Sequence, residues 1–168
     1  MIDLSTNYLG FKLKNPLIAS SSGLTNSVKD IKEMEESGIA AVVVKSIFEE
    51  EIMAELNQSI HETNRPGTLY PEIYDFFDIA DMEDSTSKYL KLISDLKTSV
   101  SIPVIGSVNC VSASEWTTFA TRIEEAGADA LELNMFILPS DLERSPADFT
   151  NVYFDVVQEV KKAVNIPV

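Results

Sequence analysis

The sequence has few of the residues that build disulfides and metal sites. Its 168 residues include one cysteine, Cys110, and one histidine, His61. A single cysteine excludes an intrachain disulfide framework and is compatible with the reducing cytosol. His61 lies in an acidic stretch without a second histidine or cysteine at the spacing of metal ligands. We therefore predict that His61 is a surface residue and that there is no metal site.

Positive charge and long apolar runs are also scarce. Thirteen Lys and Arg residues stand against twenty-seven Asp and Glu residues, for a net charge of -14. This balance argues against a nucleic-acid or anionic-membrane partner. No run reaches the roughly 20 apolar residues that cross a bilayer, and the polar start lacks the apolar core of a signal peptide. We expect a cytoplasmic protein.

Two phrases occur twice in the sequence. Residues 35–44, EESGIAAVVV, return as residues 124–133, EEAGADALEL, and residues 101–104, SIPV, return as residues 165–168, NIPV. The first phrase has the pattern of a helix end, a glycine and a buried strand, and the second that of a strand entry. Alternating helices and buried strands are typical of a parallel β/α fold.

The repeats predict a parallel (β/α) TIM barrel. A complete barrel needs about 250 residues, so we predict that residues 1–168 form its first four units, a half barrel cut from a larger protein. We expect residues 165–168 to open a fifth strand. A smaller flavodoxin-like fold is the alternative.

Local patterns place the elements along the chain. We predict a β-hairpin over residues 1–14 and strands at 17–19, 40–44, 103–108 and 130–133. We predict helices at 27–37 and 86–99, a third helix that begins with a capping box at 112–115, and a fourth helix that begins at 145. The acidic stretch 49–84 is predicted to be a long insertion or lid. Its aromatic residues are expected to pack the lid onto the barrel rather than to stack on a ligand: Tyr70, Tyr74, Phe76 and Phe77.

Polar residues follow the predicted strands, at the edge where parallel β/α folds bind ligands. We expect Ser22, Lys45, Ser107 and Asn134 to lie side by side around one mouth. A lysine at the end of an apolar strand is costly to bury alone. Lys45 is therefore interpreted as a partner for an anionic ligand atom or a reducible ring, with a salt bridge to a glutamate as the alternative.

Three further residues near these strand ends have a functional and a structural interpretation. Asn134 and, more weakly, Asn109 can donate and accept at an amide-like ring edge, but asparagine also forms turns. Cys110 is more readily explained as a buried thiol than as a nucleophile, because nothing near it in sequence lowers its pKa.

Several segments together resemble the dihydroorotate dehydrogenase family. Residues 3–10 and 14–18 resemble the family's N-terminal hairpin and first strand. Four further segments resemble the family's later strand-end motifs: residues 20–23 (SSSG), 44–46 (VKS), 103–107 (PVIGS) and 132–134 (ELN). The match covers essentially the whole chain, but only the first half of the family's FMN-binding barrel.

The resemblance implies an FMN-dependent oxidoreductase with a small-molecule substrate, which oxidises dihydroorotate or a related dihydropyrimidine in pyrimidine biosynthesis. In the family, a base removes a proton and a hydride passes to flavin N5. Lys45 would lie near the pyrimidine edge of the flavin and stabilise negative charge there. The implied cofactor-binding residues are Ser21, Ser22, Lys45, Ser46 and Asn134, and the implied substrate-binding residues are Lys45, Asn109 and Asn134.

Two departures separate this sequence from the true enzymes. The family's Asn-x-Ser-Cys-Pro-Asn segment, which carries the base, appears here as residues 134–141, NMFILPSD. Ile137 or Leu138 takes the base position, so Ser140, Asp141 and Cys110 are the replacement candidates. The family's substrate-binding Asn-Ser-Met-Gly-Leu-Pro-Asn segment has no counterpart. The pattern is similar to a dihydroorotate dehydrogenase-like subgroup.

A second hypothesis is a non-catalytic, barrel-derived binding or partner subunit. The apolar run 135–138, MFIL, motivates it, because such a loop can bury an interface. We expect a homo-oligomer, and for these 168 residues alone little activity and association through open sheet edges.

Overall fold

Helices and parallel strands alternate along the chain. The computed structural model describes residues 2–50, 52, 54, 85–110, 113–140 and 144–168. The elements are β1 (Thr6–Tyr8), β2 (Phe11–Leu13), β3 (Ile18–Ala19), a short 3-10 helix (Gly23–Thr25), α1 (Val28–Glu36), β4 (Ala41–Val43), β5 (Ile47–Phe48), α2 (Ser85–Ser99), β6 (Val104–Asn109), α3 (Ala113–Glu125), β7 (Ala130–Leu133) and α4 (Pro146–Ala163). Nearly all of the predicted lid, with His61 and its aromatic residues, and Asp141 lie outside the described residues.

The parallel sheet follows the order of the chain. β3 pairs with β4, β4 with β6, and β6 with β7, while the short β5 pairs with the end of β6. A flavodoxin-like sheet would place its first strand between the second and the third, so that alternative is wrong. The prediction of an α/β fold with a parallel sheet is confirmed.

The N-terminal hairpin covers one face of this sheet. β1 and β2 pair antiparallel, and the turn between them uses Leu9 and Gly10 at φ 49° and 84°. Two positive φ angles are typical of the mirror-image turns that fit hairpin twist. Leu9 and Phe11 then pack against a small cluster on the sheet: Val43, Ile105 and Ala130. The hairpin predicted from the sequence is therefore present.

The opposite face of the sheet packs against the helices. The strand residues of this core are Val42, Val44, Val104, Val108 and Leu131, and the helical ones include Ile31, Ile93, Leu96, Ile123 and Val160. Gly106 lets α3 approach β6 closely, because a Cβ there would overlap the side chain of Ile123. A glycine inside a strand often marks such a close approach.

The predicted helix starts are largely confirmed. Ser27 caps α1, because its Oγ accepts the Asp30 N–H at 3.1 Å. Ser145 caps α4 in a reciprocal box with Asp148, and Pro146 opens the helix. The capping box predicted before α3 involves Ser112, which lies outside the described residues. None of the described helices combines the length and the apolar character that a membrane crossing requires.

The repeated phrases form corresponding contacts at the amino end of the sheet. Glu35, in the last turn of α1, accepts the N–H of Ser101 at 2.8 Å and its hydroxyl at 2.6 Å. Glu124, in the last turn of α3, accepts the N–H groups of Asn165 at 2.8 Å and Ile166 at 3.2 Å. We call these contacts the carboxylate clamps. Each one attaches a helix end to the entry of a chain segment beside the sheet.

The main chain repeats in the same way. The Pro103 carbonyl accepts the Val42 N–H at 3.1 Å, and the Pro167 carbonyl accepts the Leu131 N–H at 2.9 Å. Residues 166–168 therefore lie beside β7 as the start of β6 lies beside β4.

Candidate functional site

The carboxyl ends of the parallel strands meet at one edge of the sheet, as their direction requires. A cavity of about 430 Å³ opens there, lined by Ser20, Ser21, Glu132, Leu133, Asn134 and Met135. These residues follow β3 and form the end of β7 and the loop after it. Ligands of parallel α/β folds bind at this position, so the cavity is the candidate site.

Five polar side chains at this edge form one hydrogen-bonded network, which we call the carboxyl-end cluster. Ser46 lies at its centre. Its Oγ is 2.7 Å from Ser107 Oγ and 3.0 Å from Ser21 Oγ, and Asn134 Nδ2 donates to it at 3.4 Å. Ser107 in turn donates to Glu132 Oε1 at 2.7 Å. Side chains carried by four neighbouring strands of the sheet, β3, β4, β6 and β7, or by the residues after them, therefore contact one another.

The direction of donation follows from the carboxylate. Ser107 gives its single hydroxyl proton to Glu132, so Ser46 must donate to Ser107, and Ser21 must donate to Ser46. Ser21 Oγ also accepts the Ser46 N–H at 2.9 Å. The cluster is thus an oriented chain of donors that ends on Glu132. Ser46 and Ser107 are buried, at 3% and 0% exposure, so each depends on these partners.

A β-bulge brings Ser46 into this cluster. Val43 pairs with Ile105, but Ile47 pairs with Val108. Four residue steps on one strand therefore oppose three on β6. The extra residue changes which side chains face the cluster, because side chains alternate along a strand. Ser46 consequently lies opposite Ser107.

The bulge also changes the predicted role of Lys45. Its N–H donates to the Thr25 carbonyl at 3.0 Å, and its ammonium lies 5.7 Å from the centre of the Phe48 ring. Lys45 does not line the cavity. Ser22 lies apart as well, because its Oγ accepts the Leu24 N–H at 3.3 Å and caps the 3-10 helix.

The expected group of Ser22, Lys45, Ser107 and Asn134 is thus only partly brought together. Ser107 and Asn134 meet through Ser46, while Ser22 and Lys45 contact other groups. Ser21 and Ser46 take their places in the cluster.

Tyr89 supports the cluster from behind the sheet. Its hydroxyl accepts the Ser107 N–H at 2.8 Å and donates to the Ser107 carbonyl at 2.9 Å. The side chain is 7% exposed, and burial raises the pKa of Tyr89, so the phenol stays protonated and can donate. Tyr89 lies within the helix predicted at residues 86–99, and the sequence analysis gave its hydroxyl no role. A buried tyrosine usually needs a hydrogen-bond partner, which was the available signal.

The other predicted residues lie around the cluster or away from it. Asn109 donates through Nδ2 to the Asn134 carbonyl at 2.6 Å and so holds the start of the loop after β7. Cys110 is buried in the core beneath the helices. Ser140 is exposed in the loop. Cys110 and Ser140 do not line the cavity, whereas Glu132, which sequence reasoning did not select, does. Within the described ranges, no group of His, Cys, Asp and Glu could hold a metal ion.

A second cavity, of about 330 Å³, lies between the hairpin and the sheet. Its walls are mostly apolar and include Leu9, Ile18, Val43, Ile105 and Val157. Glu132, Leu133 and Met135 line both cavities. The carboxylate therefore stands between a polar opening and an apolar interior.

Comparison with known proteins shows what this chain is related to. No family model matches the sequence. The catalytic subunit of dihydroorotate dehydrogenase B (NAD(+)) from Thermoplasma volcanium is 32% identical over 179 aligned positions, and that from Thermoplasma acidophilum is 30% identical. The chain is a relative of the dihydroorotate dehydrogenases. Each match covers 100% of this chain and 53% of the relative, so the chain spans about half the length of these proteins.

A solved structure supports the fold. The crystal structure of phosphonopyruvate hydrolase with oxalate and Mg++ superposes with a TM-score of 0.50 at 18% identity, over 90% of this chain and 44% of that one. At this identity the likeness concerns the fold alone. It agrees with the parallel α/β arrangement of the sheet and helices.

Proposed function

We propose that residues 1–168 form the first four β/α units of an FMN-binding barrel, and that the protein containing them is a dihydroorotate dehydrogenase-like oxidoreductase. Its substrate would be dihydroorotate or a related dihydropyrimidine. One observation carries this proposal: Ser21, Ser46, Ser107 and Asn134 come from the carboxyl-end halves of β3, β4, β6 and β7 or from the residues after them, and they join in one cluster at the ligand-binding edge. The similarity to dihydroorotate dehydrogenase catalytic subunits supports it.

The donor and acceptor groups at the cavity fit the polar edge of a flavin ring. Asn134 is exposed at the opening and carries both an amide N–H and a carbonyl oxygen, which match an amide-like edge. Ser20 and Ser21 line the same opening. When bound there, FMN would supply hydride acceptance at N5. The described residues would bind and orient the ring, with Ser21 and Asn134 as the proposed contacts and Ser46 holding both of them in place.

Lys45 and Ser22 take secondary places in this proposal. Lys45 lies two residues after the end of β4, and its ammonium would offset negative charge on the reduced ring. For this, its Nζ must move away from the Phe48 ring, over which it lies at 5.7 Å. Ser22 is exposed at the same edge and can offer its hydroxyl at the rim.

The test is to express the whole reading frame that contains this chain and to record its absorbance spectrum. A bound flavin gives a yellow protein, and anaerobic dihydroorotate should bleach it. A yellow protein that dihydroorotate does not bleach would keep the flavoprotein and remove this substrate. A colourless protein that also fails to bind added FMN would refute the proposal.

A second function is favoured by the loop after β7. Phe136 and Leu138 are 79% and 66% exposed, where the relatives' family carries its base. Such side chains suit a barrel-derived binding or partner subunit that has no chemistry of its own. A colourless protein that forms a stable complex through this loop, lost in Phe136→Ser, would favour this second function over the first.

Self-association of the 168-residue chain is a related proposal. Within the described residues, β3 pairs with β4 on one side only, and exposed strand edges promote pairing between chains. Size-exclusion chromatography over a range of concentrations should show species larger than a monomer. A single monomer peak at high concentration would contradict this.

A further inference from the structure

The bulge between β4 and β5 interrupts the hydrogen-bond ladder beside Ser107. Val44 donates to the Ile105 carbonyl at 2.9 Å, so the polar groups of Ile105 point toward β4. Main-chain groups two residues further along a strand point the same way, and those of Ser107 therefore face the bulge. Buried main-chain groups need partners, and an unmade bond costs about 1–3 kcal/mol.

The Tyr89 hydroxyl supplies both partners at this point. It accepts from the Ser107 N–H and donates to the Ser107 carbonyl, at 2.8 and 2.9 Å. α2 carries this side chain, and the ring lies in the core beneath the sheet. A residue from outside the sheet therefore completes the hydrogen bonding of β6 where its partner strand departs from register.

The register that results decides which side chain enters the site. With the bulge, Ser46 lies opposite Ser107, and their Oγ atoms are 2.7 Å apart. Without it, the pairing of Val43 with Ile105 would continue, and Lys45 would lie opposite Ser107. A shift of one residue turns each side chain to the other face. Ser46 would then leave the cluster.

We propose that Tyr89 is a positioning residue of the candidate site: its hydroxyl holds the bulge that aligns Ser46 with Ser107 and keeps Lys45 out of that position. The ligand identity in this inference rests on the proposed function, whereas the positioning itself does not. Tyr89 acts through Ser107 and does not line the cavity.

The first experiment measures amide hydrogen exchange in the Tyr89→Phe variant by NMR, without any ligand. The variant keeps the ring and removes the hydroxyl. We expect the amides of Ser107 and Ser46 to exchange at least about tenfold faster. The Ser46 amide is decisive, because it donates to Ser21 Oγ and not to Tyr89. If Tyr89 only fills the core, all slow amides would accelerate by one common factor, and that result would overturn the proposal.

The chain offers a matched control in Tyr153→Phe. The Tyr153 hydroxyl also accepts a main-chain N–H, that of Ile137 at 3.2 Å, but it does so in the loop after β7. This variant should accelerate the Ile137 amide and leave the Ser46 amide within about twofold of the wild type. Faster exchange at Ser46 in both variants would contradict a specific role for Tyr89.

Wild-type protein provides a measurement that does not depend on folding of the variant. The buried Tyr89 hydroxyl both donates and accepts a hydrogen bond, so its proton should exchange slowly with water. That proton should also show a nuclear Overhauser effect to the Ser107 amide. Rapid exchange of that proton with water would refute the bulge support.

A titration with FMN then separates the two proposals. We expect about tenfold weaker binding in Tyr89→Phe and wild-type affinity in Tyr153→Phe. A wild-type protein that binds no FMN would refute the proposed function, while the exchange of the Ser46 amide would still decide the positioning role. Equal FMN affinity of Tyr89→Phe and wild type would show that the positioning role of Tyr89 does not affect FMN binding.

Discussion

The two ends of the sheet are built in different ways. At the amino end, Glu35 and Glu124 hold equivalent positions of the repeat, and each accepts main-chain N–H groups at the entry of a following segment. At the carboxyl end, each strand contributes a different hydrogen-bonding role to the carboxyl-end cluster. One end repeats a contact that attaches helices to the sheet, and the other departs from the repeat to place polar side chains together.

The departure is local and has a cost. The bulge after β4 interrupts regular pairing, and Tyr89 restores the lost bonds from outside the sheet. The amino end needs no such support, because Val42 and Leu131 donate to Pro103 and Pro167 in the same way. We infer that the repeat stabilises the fold, whereas irregularity at the opposite edge builds the candidate site. Four experiments test this division, and the substitution that should destabilise the protein most comes first.

The largest effect is expected at Gly106, midway between the two ends. Gly106→Ala places a methyl group against Ile123, and overpacking of this kind costs about 1–3 kcal/mol. Because α3 must shift, both ends should weaken together. Urea unfolding should show a lower midpoint, with equal acceleration of amide exchange at Ser46 and Ser101. An unchanged midpoint would contradict the close packing of α3 on β6.

The second effect separates binding from stability at the carboxyl end. Ser46→Ala removes the hydroxyl that joins three partners. It should weaken FMN binding about tenfold and lower the free energy of unfolding by only about 1 kcal/mol. Ser145→Ala is the matched control, because loss of this exposed N-cap also costs about 1 kcal/mol. It should leave FMN affinity unchanged. If both variants bind FMN equally well, Ser46 is not part of the site.

The third effect concerns the clamps at the amino end. Glu35→Gln and Glu124→Gln keep an acceptor but remove its charge, so each should cost only about 0.5–1 kcal/mol. Since the two residues hold equivalent places, their losses should be similar, and neither should change FMN affinity. Chemical denaturation of both variants measures this. A large loss in one of them alone would show that the two clamps are not equivalent.

The smallest effect is the acid dependence of one clamp. The hydrogen bond from the Ser101 side chain lowers the pKa of Glu35, with the Ser101 main chain adding to it. A carboxyl group whose pKa is lower in the folded state stabilises the protein above its unfolded pKa, about 4.3. That contribution is lost as the pH falls through the folded pKa.

Melting temperatures measured between pH 7 and pH 3 test this sign. They should fall less steeply below about pH 4.3 in Glu35→Gln than in the wild type. A Ser46→Ala control, which leaves the clamps intact, should keep the wild-type slope. A steeper acid loss in Glu35→Gln would reverse the assignment.

Local sequence patterns were sufficient to predict the regular parts of this protein. Repeated phrases predicted the strands and helices in order, and Ser27 and Ser145 marked two helix starts. The sequence also placed polar residues after strands, which located the candidate edge. These features depend on residues close together in the chain, and a local pattern is enough to specify them.

Which of those polar residues contact one another depends on how the strands pair. Ser21 rather than Ser22, and Ser46 rather than Lys45, enter the cluster, because the bulge shifts the register set by pairing with β6. The partner of the Tyr89 hydroxyl and the place of Glu132 in the cluster came from contacts with Ser107, which lies 18 and 25 positions away in sequence. Alternation along one strand predicts a face, but the partner strand and its register determine which face each side chain finally takes.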